Sequence, residues 1–121
     1  MGIAKKGVFT NCTSFTVLNI GANVKVIPSG VFADCTALKS VVIPYGVTTI
    51  GTYAFSDCTG LANIEFSATV AVICDYAFTN CSAVKKVVLP DSIESVGIDS
   101  FMGCSALADI NLSDDLKIGW G

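Results

Sequence analysis

Five cysteines, Cys12, Cys35, Cys58, Cys81 and Cys104, recur every 23 residues, and a sixth, Cys74, stands off the series. By type, stacked thiols are soft-metal ligands or disulfide partners. Successive turns of chain would bring their Cα atoms to about 5 Å, inside disulfide range, but with parallel side-chain vectors, which is a poor approach. The chain has no CxxC pair and no His, so the periodic thiols read as small apolar fillers of a tight inner turn, buried and reduced. Cys74 shares its place in the period with Pro28, Gly51 and Gly97. Proline fixes φ near −65°, so this position does not require left-handed backbone and Cys74 is tolerated there. Neither a lysine nor a helix start stands beside it to activate the thiol.

Other chemistry is thinner. Without His and Arg, Ser-His-Asp and Cys-His catalysis, most zinc sites and bidentate phosphate clamps are missing their parts. Asp91, Asp114 and Asp115 follow apolar runs, while Asp34 and Asp57 stack across the period. A calcium loop needs denser acids around a defined glycine, and Asn11 and Asn80 replace the aspartates in their own column. No catalytic, cofactor or metal site is therefore assigned. The 7 cationic and 10 acidic residues give a net charge of −3, which argues against nucleic acid. No apolar run reaches the ~18 residues of a membrane span, and Met1 to Lys6 is not a signal peptide.

The period that spaces the thiols also spaces the apolar residues. Phe9, Phe32, Phe55, Phe78 and Phe101 precede the cysteines by three; Phe15, Leu38, Leu61, Val84 and Leu107 follow by three. Further columns are Leu18, Val41, Ile64, Val87 and Ile110, then Ile20, Ile43, Phe66, Leu89 and Leu112. Val24, Val47, Val70, Ile93 and Leu116 form another, and Ile27, Ile50, Ile73 and Val96 the last. One unit cannot bury such residues alone, but stacked coils can, each column covering the same column of the next coil. Val41-x-Ile43 alternates as one face of a strand. Phe55-x-x-Cys58-x-x-Leu61 has the spacing of a helical or 3₁₀ turn, and Val47-x-x-Ile50 suggests a second short strand. Parallel strands stacked at ~4.8 Å make about five coils roughly 24 Å long.

The polar columns agree. Asn11, Asp34, Asp57 and Asn80 precede the cysteines, with Gly103 in the fifth unit, and Thr13, Thr36, Thr59, Ser82 and Ser105 follow them. Short polar side chains of these kinds bond to nearby main-chain amides in turns. Pro44 and Pro90 end strands where no ladder donor is needed. Tyr53 and Tyr76 share a column with Gly7, Gly30 and Asp99 and are expected to stack on the outer surface. The glycosylation patterns at Asn11 and Asn80 overlap the cysteine turns and come with the repeat; a third lies at Asn111.

Units such as Leu38-Lys39-Ser40-Val41-Val42-Ile43-Pro44, continued by Val47-Thr48-Thr49-Ile50-Gly51-Thr52-Tyr53-Ala54-Phe55 and Cys58, resemble leucine-rich repeats of the BspA type over almost the whole chain. The resemblance implies a right-handed leucine-rich-repeat solenoid with a parallel β-sheet on its concave face and short turns, 3₁₀ or helical, on the others. It also implies a cell-surface or secreted parent protein, often an adhesin for host or matrix proteins. The units are expected to form one domain over 1–121, a piece of a longer array.

On such a solenoid the outward positions of the concave strip are Val17, Ser40, Asn63, Lys86 and Asp109, alternating with Asn19, Val42, Glu65, Val88 and Asn111. They do not repeat in type, as befits a variable binding face on a constant scaffold. They are also what an unselected solvent face would show. The expected role is a non-enzymatic protein-binding module, with a structural spacer as the first alternative and an enzyme, disfavoured by the missing His and Arg, as the second. Val8, Phe9, Phe15 and Leu18 at one end, and Leu116, Ile118 and Trp120 at the other, suggest self-association through bare end coils.

Overall fold

The computed structural model describes residues 16–111 and the backbone of 117–118. Among the described residues, ten strands of two or three residues alternate between two faces: β1 (Val17–Asn19), β2 (Val26–Ile27), β3 (Ser40–Val42), β4 (Thr49–Ile50), β5 (Asn63–Glu65), β6 (Val72–Ile73), β7 (Lys86–Val87), β8 (Ser95–Val96), β9 (Asp109–Ile110) and β10 (Lys117–Ile118). Odd strands make a front face, the one expected to be concave, and even strands a back face. All pairings are parallel, and those among β1 to β9 join residues one 23-residue period apart, as Val41 beside Ile64 and Ile50 beside Ile73, whereas β8 and β10 pair at 22, Val96 beside Ile118. The second strand expected near Val47-x-x-Ile50 is β4. The back sheet is continuous in the order β10-β8-β6-β4-β2.

Turns set the corners. After β1, β3, β5 and β7 the chain turns within four residues, Val47 N–H donating to Pro44 O at 3.3 Å and Ile93 N–H to Pro90 O at 3.1 Å. Proline suits this place, since its carbonyl is used and its missing N–H is not. The spacing of three in Phe55-x-x-Cys58 is not a helix. It is a chain of turns in which Cys58 N–H reaches Phe55 O and Leu61 N–H reaches Cys58 O. Between these local bonds other amides reach along the axis: Tyr53, Phe55 and Asp57 donate to the carbonyls of Asp75, Ala77 and Thr79 in the next coil. This third ladder satisfies main-chain groups that cannot reach water.

Left-handed residues stop these turns from propagating as a helix. Asp34, Asp57 and Asn80 have φ of 62°, 60° and 64°, and Gly103 completes the column at 77°. Gly30, Tyr53, Tyr76 and Asp99 form a second such column. Asx and Gly are the residue types that tolerate this backbone best, and Tyr53 and Tyr76 hold it as bulkier exceptions. The Asx column, expected to cap local amides, is thus selected for its φ. Asn80 directs its side-chain amide to Asp57 Oδ1 of the preceding coil, 2.8 Å away.

The core fills the space between the three ladders. Phe32, Phe55 and Phe78 are fully buried and Phe101 nearly so. Their rings stack at 5.3, 5.2 and 5.4 Å, one ring per coil. The cysteine, Leu38-type and Ile27-type columns close around them.

Candidate functional site

The front face is where the expected uniform strip fails. Its strands form a three-stranded sheet β1-β3-β5 and a separate pair β7-β9, with no ladder between β5 and β7. The step falls where the Ile43 column changes from aliphatic to aromatic. Phe66 is bulkier than Ile43 or Leu89, and its ring packs edge-on to Phe78 at 5.9 Å and 84°. At this step the front strands are unpaired while the back strands stay paired. Inward residues on either side are sealed, with Val41 and Val87 each 1 % exposed. Ile64 and Phe66 are only half-buried.

An open groove of about 560 Å³ straddles this step. Ser40, Val42, Asn63, Glu65, Lys86 and Val88 rim it, as the strip reading placed them, and Ile64 and Phe66 add an apolar floor beside the sealed Val41. Ile64 and Phe66 were assigned to the core, which they join only in part; the lone aromatic in an aliphatic column was the available signal. Val42 and Val88 are about half exposed and flank Glu65 in one column, on the coils before and after it. Lys86 Nζ lies 4.0 Å from Asp109 Oδ2, with both side chains about two-thirds exposed. Glu65 has no ion-pair partner among the described residues.

Of the remaining strip residues, Asn111 is committed to the scaffold. Its Oδ1 accepts from Leu89 N–H at 2.6 Å and its Nδ2 donates to Leu89 O at 2.9 Å, clamping one coil to the next. Val17 and Asn19 pair with Ser40 and Val42 through β1 and β3; their side chains lie outside the described residues. So do Cys12 and all the end-coil residues named for self-association except Leu18, whose backbone and side chain are described and which is 2 % exposed rather than bare.

The cysteine column does scaffold work. Cys58, Cys81 and Cys104 each donate through sulfur, at 3.2 Å, to the carbonyls of Phe32, Phe55 and Phe78 in the preceding coil. Burial pushes the Cys58 thiol up to about 12 and Cys104 to about 11, and Cys81 higher still. These are poor nucleophiles and poor ligands at neutral pH. Cys74 is half-buried and also shifted up, by burial first and then by Asp75, although Thr52 opposes this through a hydrogen bond. Tyr53 and Tyr76 stack at 4.9 Å and 6° on the outer surface as expected. No group of three or more metal-ligating side chains occurs among the described residues, and none of their helices is long and apolar enough to cross a membrane.

A sequence profile described as the BspA type leucine rich repeat region matches residues 3–119 in six copies. Among solved structures, the chain is similar to a leucine rich cell surface protein from Faecalibacterium prausnitzii A2-165, with 26% identity and a TM-score of 0.82, covering 91% of this chain and 33% of that one. It is similar to a leucine rich repeat protein of T. pallidum, with 28% identity and a TM-score of 0.80, covering 86% of this chain and 51% of that one. A leucine-rich repeat protein from Bacteroides capillosus, at 24% identity and a TM-score of 0.67, shares the fold. The chain thus spans about a third and about half of the first two proteins. No curated protein matches it.

Proposed function

Since the chain belongs to the BspA-type leucine-rich-repeat family, we propose that it is a non-enzymatic module that binds a protein segment across its front face, within a cell-surface or secreted parent. The groove over the β5–β7 step carries this reading: it joins an apolar floor to a rim of mixed polar and charged side chains on a rigid frame, the usual make-up of a recognition site. A surface location is supported by the cell-surface description of the F. prausnitzii protein. A host or matrix protein as the ligand rests on the family resemblance, as does self-association through the end coils on the end residues in the sequence.

Selection of a displayed random-peptide library on the folded protein tests the reading. Selected peptides are expected to protect amides of β3, β5 and β7 and to lose binding to Val42→Asp, while Tyr45→Ser, at a corner turn, leaves binding intact. Peptides that map only to the back sheet, or no selection at all, would favour the spacer. The unbroken five-stranded back sheet is the feature that suits a spacer.

A further inference from the structure

We infer that the groove between β5 and β7 accepts an extended peptide carrying one aliphatic or aromatic side chain next to a lysine or arginine; this rests on the binding-module reading and names the chemistry of its ligand. Three observations converge on the same place. The first is the opening. The inward Leu18, Val41 and Val87 of β1, β3 and β7 lie sealed behind their own sheet, but Ile64 and Phe66 are half-buried and line the groove together. Exposed Val42 and Val88 stand on either side. An apolar side chain entering here leaves water for a floor that is already shaped.

The second is the interrupted ladder. Main-chain groups pair β1 with β3, β3 with β5 and β7 with β9, and no such pairing joins β5 to β7. Strand edges of this kind offer donors and acceptors to the backbone of an extended guest. This favours a peptide over an acyl chain, which has no groups to meet them.

The third is charge. Glu65 sits between the two exposed valines with no ion-pair partner among the described residues. Lys86, across the groove, already faces Asp109. The unmatched charge at the groove is therefore negative, as is the chain's net charge of −3. A cationic side chain beside the apolar one completes the pairing, and the neighbouring valines reduce the water that screens it.

The test is an NMR titration of the ¹⁵N-labelled protein with blocked synthetic peptides of serine and threonine around a central leucine-lysine pair. Comparison peptides replace the leucine with serine or the lysine with glutamate. The leucine-lysine peptide is expected to shift the amides of Ile64, Glu65, Phe66 and Val88. Loss of the leucine should abolish those shifts. Glutamate for lysine should weaken binding about 2- to 5-fold, as for an exposed ion pair. Glu65→Lys, a surface change whose fold is checked by spectral dispersion, should reverse the preference. Equal affinity for the lysine and glutamate peptides, or indifference to the leucine, overturns the inference. If shifts still map to the front strands, that result leaves the binding-module reading standing. If no peptide shifts the front strands, the inference falls, and the library selection decides the fate of the broader reading.

Discussion

The Cys58 thiol donates to a carbonyl 26 residues earlier in the chain, in a place with no water to replace it. Its folded-state value near 12 lies above the ordinary 9.0. The neutral thiol is thus favoured by folding, so its contribution is complete below pH 9 and is lost as pH rises from about 9 toward 12. Denaturant melts between pH 7 and 11 should show this decline, and the decline should be shallower in Cys58→Ala. Native thiol labelling should leave Cys35, Cys58 and Cys81 unmodified until unfolding; half-buried Cys74 should react first, though slowly for a cysteine. At the stacked Phe55, which has ring neighbours on both sides, truncation to alanine should cost ~3–5 kcal/mol. Exposed Lys39→Ala should stay within about 0.5 kcal/mol. Equal midpoints for these two variants would mean that Phe55 is not core.

At the scale of the element, turns and strands depend on single backbone states. Asp34 holds φ at 62° and Gly103, in the same column, at 77°. Asp34→Gly is therefore expected to be tolerated, whereas the β-branched Asp34→Val should cost ~1–2 kcal/mol more, measured by chemical denaturation. Equal effects would contradict the left-handed assignment. The broken front sheet has an element-scale test as well. If the Phe66 ring parts β5 from β7, Phe66→Leu should let the strands pair, and hydrogen exchange at Lys86 and Val88 should slow. Unchanged exchange would assign the break to some other cause.

For the whole molecule, stability is close to a sum of coils and coil interfaces. Every ladder among β1 to β9 has the same period, from Val41 beside Ile64 to Lys86 beside Asp109. Removing one complete internal unit, residues 59–81, joins like to like. The shortened chain is expected to keep its circular-dichroism spectrum and to unfold at lower denaturant. Removing residues 59–80 instead shifts every later column by one, turning strand faces inside out. That variant is expected not to fold; equal behaviour of the two deletions would mean that register does not govern this fold.

The sequence by itself determined the coil, its core and the outward strip, because stacking forces each buried position to recur and recurrence is visible in one chain. It placed Phe55, Cys58 and Ile50 inside, Lys86 and Glu65 outside, and the two tyrosines together. It misjudged the Asx column, since a residue type that tolerates φ near 60° is the same type that caps turns, and composition cannot separate the two uses. The third ladder, formed by amides such as Phe55 N–H reaching Ala77 O, was equally hidden, because main-chain bonds leave no mark on side-chain type. Tertiary structure alone decided where the front sheet opens. Phe66 sits within the apolar pattern and breaks no rule of periodicity. Its edge-on contact with Phe78, at the step where the front ladder is interrupted, is visible only once the coils are stacked.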